Sequence, residues 1–149
     1  MNMSFKNKTC PEYFELPSIG ESNLGFISVA EFPNNIPFNI KRVYWTYHTP
    51  ENVLRGHHSH KDLYQLIFAV SGTITFYTED RHRNKQEFIL SKPNVGLYIP
   101  PYVWREIKFS HNSVLLCLSS SEYSETDYIR SYENFINSLK DNNLFIDII

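Results

Sequence analysis

The densest chemistry in the sequence lies in the run RGHHSH at residues 55–60, which holds three histidines. Side chains at positions i and i+2 of a strand project to the same face, so His58 and His60 are predicted to point together into a site while His57 points away. A neutral imidazole is a competent general base near physiological pH, and proton transfer needs no metal. We therefore expect a histidine pair that moves protons.

The other three histidines of the chain carry no such pattern. His48, His82 and His111 stand in turn-like surroundings rich in polar residues. Isolated histidines of this kind are usually solvated or structural. We expect no chemistry from them.

The same histidine spacing resembles the first metal-binding motif of cupin barrels, in which His-x-His is followed by a carboxylate and a glycine. The stretch from Pro93 to Arg105 resembles the second motif, in which one more histidine completes the metal site. Here Gln65 stands in place of the carboxylate and Arg105 in place of the last histidine. An amide is a poor substitute for a carboxylate at a transition-metal site, and an arginine does not deprotonate to ligate a cation. The sequence therefore disfavours zinc, iron or manganese, and no cofactor is expected.

Strands are predicted to position these residues. Between Gly25 and Ser120, short segments rich in Ile, Val, Tyr, Phe and Thr alternate with Pro, Gly, Asn or charged clusters, which is typical of an all-β sandwich or barrel. A turn at Ser71-Gly72 is expected to join two antiparallel strands, and the polar stretch 79–85 is expected to form a hairpin tip. The candidate strands are residues 26–32, 40–47, 63–70, 73–78, 87–90, 96–99, 105–109 and 114–119.

One helix is predicted after the strands. Residues Ser124 to Asp127 resemble a capping box, and apolar side chains then recur at helical spacing from Tyr128 to Leu139. We expect this helix over about residues 124–140, packed against a β core of about residues 24–120. With 149 residues and 42% hydrophobic content, the whole chain, 1–149, is expected to form a single domain.

Charge and composition limit the partners and the compartment. A net charge of −2 and a pI near 6.3 argue against binding a nucleic acid polymer, which normally requires a strongly basic surface. No apolar run reaches the roughly 18 residues of a membrane span, and the polar start has no export signal. Cys10 and Cys117 have no metal or redox spacing. We therefore expect a cytoplasmic protein that does not interact with membranes.

Several longer segments, in order, resemble the dTDP-sugar 3,4-ketoisomerases of the WxcM-like cupin group, and the resemblance spans about residues 24–136. These segments are IPFNIKRVY at 36–44, RGHHSHK at 55–61, GLYIP at 96–100, VWRE at 103–106 and ETDYIRSY at 125–132. The resemblance implies a double-stranded β-helix (a jelly-roll barrel), a homodimer, no metal, and dTDP-4-keto-6-deoxyglucose as substrate. It also implies that His58 is the catalytic base, with Tyr44 and His60 beside it and Arg55 nearby.

The residue types fit that reaction. Moving a carbonyl from carbon 4 to carbon 3 requires a base with a pKa near the working pH, and histidine has an unperturbed pKa of about 6.5. An N–H of His60 and the phenol of Tyr44 are expected to donate to the developing enediolate. Arg55 and Arg105 are candidates for binding the pyrophosphate. The remaining candidates for substrate contacts are Gln65, Leu24 and the aromatic residues Tyr98, Tyr102 and Trp104. Each aromatic residue either stacks on the thymine or sugar or packs in the core or at a dimer interface.

Two positions bear on the stereochemistry at carbon 4. A base that works on one face of a gluco-configured sugar leaves a galacto product, so a gluco product needs a second donor on the other face. Arg105, after Trp104, matches the branch of the family that gives the gluco-configured 3-keto sugar, and we expect that product. Leu24 matches neither branch. At this position the branch that makes the galacto product has arginine, and the other branch usually has a polar or aromatic residue.

Other functions fit parts of the sequence. Sugar 3,5-epimerisation abstracts protons beside the same ketone but needs an acid–base pair with a supporting aspartate, and no such carboxylate is evident near the histidines. A sugar-binding cupin without turnover would keep the same pocket. If the isomerase interpretation holds, the resemblance implies that a pyridoxal phosphate aminotransferase converts the product to a 3-amino-3,6-dideoxyhexose for surface glycans such as the O-antigen of lipopolysaccharide.

Overall fold

The computed structural model describes residues 7–144, which form two five-stranded antiparallel sheets, one two-stranded hairpin and one C-terminal helix. The strands are β1 (Glu12–Glu15), β2 (Ile19–Glu21), β3 (Gly25–Ile27), β4 (Arg42–Thr46), β5 (Leu54–His60), β6 (Gln65–Ser71), β7 (Ile74–Glu79), β8 (Lys85–Leu90), β9 (Val95–Ile99), β10 (Trp104–Phe109), β11 (Val114–Ser119) and β12 (Tyr128–Ile129), and the helix is α1 (Tyr132–Asp141). One sheet has the order β1-β9-β6-β11-β4 and the other β12-β5-β10-β7-β8, while β2 and β3 form a separate hairpin. This is the all-β cupin fold that the sequence predicts.

The main core lies between the two sheets. Because side chains alternate along a strand, every second side chain of each sheet points inward. At one end of the fold, the inward side chains of β6, β7, β9 and β11 are apolar. The inward residues that are fully buried include Ile67, Ile74, Phe76, Leu97 and Leu115. This packed end holds the strands in register, so polar inward side chains of the same strands meet at the other end.

Helix α1 begins later than the sequence predicts. Residues 125–127 form a short 3₁₀ turn and 128–129 pair with β5, so the apparent capping box at Ser124 caps no α-helix. The N-cap is Ser131, whose side chain accepts a hydrogen bond from the backbone N–H of Asn134 at 3.0 Å. The helical periodicity is confirmed only from Tyr132 onward, where Phe135 and Leu139 are buried.

The β region also differs from the prediction at its beginning and at one turn. The first sheet includes β1, which lies before residue 24 and pairs with β9, whereas the candidate strand 26–32 shortens to β3. The turn at Gly72 joins strands of different sheets, because β6 pairs with β9 and β11 while β7 pairs with β8 and β10. The hairpin tip between β7 and β8 is confirmed. Within residues 7–144, no helix has the length and apolarity that crossing a bilayer requires.

Candidate active site

A β-bulge in β5 places the histidines on the inward face. On the neighbouring strand β10, Arg105 lies opposite His58 and Ile107 lies opposite Arg55. Two residues separate Arg55 from His58 on β5, but only one residue separates Arg105 from Ile107 on β10. Gly56 and His57, which form the bulge, have φ angles of +93° and +51°. A Cβ on Gly56 would lie 2.8 Å from the carbonyl oxygen of Arg105, so the bulge needs glycine there. Arg55 and His58 therefore both face inward, and the exposed His57 pairs with Glu106 outside.

His58 is held as a neutral ring with a free basic nitrogen. Its Nδ1 lies 3.0 Å from the carbonyl oxygen of Gly56, which only accepts, so Nδ1 carries the hydrogen and Nε2 keeps its lone pair. Burial, followed by the charge of Arg105, lowers the pKa of His58 to about 3. Partial burial leaves the ring accessible from the cavity described below. It can therefore act as a base at neutral pH, but with a pKa below the unperturbed value assumed from sequence.

His60 lies behind His58 and is only 1% exposed. The two ring centroids are 4.9 Å apart with the planes at 89°, and Tyr128 packs on both rings. His60 Nδ1 lies 2.8 Å from Oδ2 of Asp127. Burial, together with the positive charge of Arg105, lowers the pKa of His60 far below its usual range. Asp127 is the carboxylate that sequence reasoning did not find, because Thr126-Asp127 resembled part of a helix cap.

Three residues form a hydrogen-bonded chain across the inside of the fold. Arg105 NH1 donates to Oε1 of Gln65 at 2.7 Å, and Gln65 Nε2 donates to the phenol oxygen of Tyr44 at 3.1 Å and to Sγ of Cys117 at 3.3 Å. Burial, with Cys117 next to the ring, raises the pKa of Tyr44 well above its usual value, so the phenol stays protonated. Burial also lowers the pKa of Arg105 to about 10, which leaves the guanidinium charged at neutral pH. Both residues are donors at the cavity.

These side chains line one cavity of about 500 Å³ at the polar end of the fold. Its wall includes His58, Tyr44 and Gln65 together with four arginines, and no Asp or Glu of residues 7–144 belongs to the wall. The arginines are Arg42, Arg55, Arg105 and Arg130. The cavity is thus strongly cationic although the chain as a whole carries −2, and it is suited to an anionic ligand.

Arg42 and Arg130 were not predicted as site residues. Arg42 was identifiable from sequence because it shares a strand face with Tyr44, two residues further on. Its guanidinium carbon lies 5.6 Å from the ring centre of Tyr44, and its buried Nε has no hydrogen-bond partner within the described chain. Arg130 lies 4.1 Å over the ring of Tyr128 and forms a bidentate pair with Glu125.

Three predicted substrate contacts lie elsewhere in the chain. Trp104 points away from the cavity, since it alternates with Arg105 on β10, and packs against Phe135 of helix α1. Tyr98 is 1% exposed in the core on the outer face of the first sheet. Leu24 lies at the β2–β3 turn and is 84% exposed. Tyr98 and Trp104 thus both belong to buried apolar clusters and do not line the cavity.

The remaining histidines are exposed, as expected: His48, His82 and His111. No three His, Cys, Asp or Glu side chains within residues 7–144 converge in a group that could hold a metal ion. At the two positions that correspond to cupin metal ligands, Gln65 and Arg105 instead bind each other. A guanidinium at that place repels a cation.

Fold and site together define a cupin whose cavity presents a neutral histidine, a phenol and several guanidinium groups to an anionic ligand. The WxcM-like, C-terminal family model (FdtA) matches residues 10–140. A curated relative from Aneurinibacillus thermoaerophilus, TDP-4-oxo-6-deoxy-alpha-D-glucose-3,4-oxoisomerase, is 43% identical over 112 residues, which cover 74% of this chain and 80% of the relative. The chain therefore belongs to the WxcM-like family and is a sugar 3,4-ketoisomerase.

Solved structures agree with this assignment. The sugar 3,4-ketoisomerase QdtA from Thermoanaerobacterium thermosaccharolyticum, in complex with TDP, is 36% identical with a TM-score of 0.83, and the match covers 89% of this chain and 96% of QdtA. The TDP-quinovose 3,4-ketoisomerase WlaRB from Campylobacter jejuni is 37% identical with a TM-score of 0.80, and the match covers 85% and 97% of the two chains.

Proposed function

We propose that the protein converts dTDP-4-keto-6-deoxyglucose to dTDP-3-keto-6-deoxyglucose by proton transfer, with the His58 imidazole as the base that removes the substrate proton. The observation that carries this proposal is the unprotonated Nε2 of His58, a residue of the cavity wall. The other polar groups of that wall are mainly hydrogen-bond donors and cations. The name of the curated relative, which refers to the same 4-oxo-6-deoxy sugar, supports the choice of substrate.

The reaction needs one base and stabilisation of one oxyanion. His58 Nε2 removes the proton on carbon 3. The electron pair of that C–H bond forms a double bond between carbons 3 and 4 of the sugar, which gives an enediolate with negative charge on the carbon 4 oxygen. Tyr44 O–H and the Arg105 guanidinium donate to this oxygen. A proton is then delivered to carbon 4, and the hydrogen of the carbon 3 hydroxyl passes to the carbon 4 oxygen, so that carbon 3 becomes the new carbonyl and carbon 4 carries a hydroxyl. The proton that His58 took up replaces the one delivered to carbon 4, so the sugar gains and loses no electrons and no redox cofactor is required.

The contacts of His60 support a different role from the one expected from sequence. The Nδ1–H of His60 donates to the Asp127 carboxylate. A neutral imidazole has no second N–H that could donate to an enediolate. The ring is also fully buried behind His58. We assign the donor role to Tyr44 and Arg105 and leave His60 as the ring against which His58 packs.

The nucleotide diphosphate is proposed to lie at the cavity mouth. Arg55 and Arg130 are exposed there and Arg42 is half-buried, whereas Arg105 is buried at the cavity floor. This arrangement directs the sugar inward to His58 and the diphosphate outward. The diphosphate would also offset the charge of Arg130, which contributes, after burial and Arg105, to lowering the pKa of His58. Substrate binding would thus make His58 a stronger base.

The product is proposed to keep the gluco configuration. Tyr44 comes from the sheet that faces the His58 strand, so the phenol and the imidazole approach a bound ring from different sides. Tyr44 is therefore our candidate for the second proton donor. The resemblance at Arg105 supports the same product, as does the name of the quinovose isomerase WlaRB.

A homodimer is also proposed. The outward side chains of edge strand β4 are large and exposed: Val43 47%, Trp45 61% and Tyr47, just beyond the strand, 57%. The β2–β3 hairpin exposes Ile19, Phe26 and Ile27 to between 58% and 65%. Exposed apolar surface of this kind marks an association site, and a second copy would cover it. Size-exclusion chromatography with light scattering should give twice the mass of the chain, and Trp45→Glu should lower it.

The product would be a reactive ketone that another enzyme consumes. A 3-keto sugar can be converted to an amine by a pyridoxal phosphate aminotransferase. The expected end product is a 3-amino-3,6-dideoxyhexose for a surface glycan such as an O-antigen.

The test is to mix the purified protein with dTDP-4-keto-6-deoxyglucose in deuterium oxide and follow the sugar by proton NMR. We expect a 3-keto product with deuterium at carbon 4. Recovery of the unchanged 4-keto sugar would contradict the proposal.

Sugar 3,5-epimerisation is the second candidate, because the His60–Asp127 pair supplies the aspartate that the sequence did not reveal. That pair, however, belongs to a histidine buried behind the cavity wall. In the same NMR experiment an epimerase would exchange the proton on carbon 5, and we expect no exchange there.

A further inference from the structure

Asp127 makes two separate sets of contacts. Its Oδ1 accepts hydrogen bonds from the backbone N–H groups of Lys61 and Asp62 at 3.1 and 2.7 Å, which fixes the turn after β5. Its Oδ2 lies 2.8 Å from His60 Nδ1. The side chain is 15% exposed and is further ordered by the pairing of the next residue, Tyr128, with His60.

The second contact determines which nitrogen of His60 is protonated. An ionised carboxylate only accepts hydrogen bonds, so the neutral imidazole must carry its hydrogen on Nδ1 and leave Nε2 with a lone pair. The bond also fixes the rotation of the ring, because the opposite edge then points away from Asp127. His58 packs edge-to-face on this ring at 4.9 Å, so the orientation of His60 limits the orientation of His58.

We propose that Asp127 is a positioning residue for the reaction: it fixes the tautomer and the ring orientation of His60, and His60 in turn holds His58 against the substrate. The effect on turnover rests on the proposed function. The tautomer of His60 does not, and it is measured independently.

The first measurement uses the unmodified protein labelled with ¹⁵N-histidine. Long-range ¹H–¹⁵N NMR identifies which ring nitrogen carries hydrogen, and His60→Gln assigns the signals by their loss. We expect His60 to be neutral with hydrogen on Nδ1 at pH 7. Hydrogen on Nε2 would overturn the inference whether or not the protein is an isomerase.

The second measurement uses Asp127→Asn with Asp62→Asn as the matched control on the same turn. The asparagine oxygen can still accept from the backbone of Lys61 and Asp62, but its NH₂ group now faces His60 Nδ1 and forces the hydrogen to Nε2. We expect this tautomer change, a fall in kcat of about 10²-fold, and unchanged affinity for TDP, whereas Asp62→Asn changes none of these. A switched tautomer with full kcat would overturn the positioning role. Absence of isomerase activity in the unmodified protein would instead refute the proposed function, and if Asp127→Asn does not fold, the first measurement still decides the tautomer.

Discussion

Arg105 NH1 donates a hydrogen bond to Oε1 of Gln65 at 2.7 Å, linking the strand beside the histidines to the facing sheet. Both residues stand where a metal-binding cupin would have ligands. A charged donor thus lies where such a cupin would place a Lewis acid, and it is oriented by an amide that also holds Tyr44. In the proposed mechanism, this link orients the guanidinium and the phenol that stabilise the enediolate.

Replacing Arg105 with Met should separate activity from stability. Removing the buried guanidinium relieves the cost of keeping a charge out of water, while the unpaired Gln65 oxygen costs about 1–3 kcal/mol. We expect a small net change in the free energy of unfolding and a fall in kcat of about 10²-fold from the lost donor. Denaturant unfolding and steady-state kinetics check this, with the exposed Lys108→Met on the same strand as control. Full activity of Arg105→Met would show that the guanidinium is not needed.

The pH dependence should reflect the lowered pKa of His58. The base works when neutral, and burial with Arg105 lowers its pKa to about 3, so protonation removes activity only at acidic pH. We expect kcat/KM, which reports the free enzyme, to show no acidic limb near 6.5. The acidic limb of kcat should lie at a higher pH than that of kcat/KM, because the bound diphosphate offsets positive charge. An acidic limb of kcat/KM at about 6.5 that is absent from His58→Asn would contradict the structure.

Arg42 should contribute to nucleotide affinity. Its Nε is buried and has no hydrogen-bond partner in residues 7–144, and it lines the proposed diphosphate end of the cavity. A hydrogen bond to a charged group contributes about 1.5–3 kcal/mol, so Arg42→Gln should weaken TDP binding by about 10- to 100-fold. Isothermal titration calorimetry measures this, and the neighbouring exposed Lys41→Gln should bind TDP normally. Equal affinities for TDP would place the diphosphate elsewhere.

The configuration at carbon 4 of the product can be determined by NMR. In a gluco-configured 3-keto sugar the protons on carbons 4 and 5 are both axial, so their coupling is large. We expect this large coupling, with Tyr44 as the donor on the face opposite His58. A small coupling would indicate the galacto product and return of the proton by the same base.

The sequence was sufficient for the fold class and for part of the cavity wall: strand alternation pointed to His58, and the resemblance to known motifs pointed to Tyr44, Gln65 and Arg105, all of which line the cavity. It was insufficient where a single backbone irregularity or a distant contact decides the outcome. The bulge at Gly56 adds a residue to β5 and cannot be read from alternation. Asp127 reaches His60 across a sequence separation of 67 residues, and its local sequence also fits a helix cap.

The aromatic residues show a second limit. Trp104 precedes Arg105, and alternation alone required the two side chains to point to opposite faces of β10. Because Arg105 faces the cavity, Trp104 faces the outside of the sheet, where helix α1 covers it. The position of that helix depends on the pairing of β12 with β5, which only the three-dimensional structure reveals.

The central claim, that the bare imidazole nitrogen of His58 is the base, is tested most directly by His58→Asn. The asparagine preserves a polar side chain at the bulge but has no basic nitrogen. Conversion of dTDP-4-keto-6-deoxyglucose to the 3-keto product should fall by at least about 10³-fold, while TDP binding and the unfolding transition stay close to those of the unmodified protein. Turnover by His58→Asn within a few-fold of the unmodified rate would contradict the account.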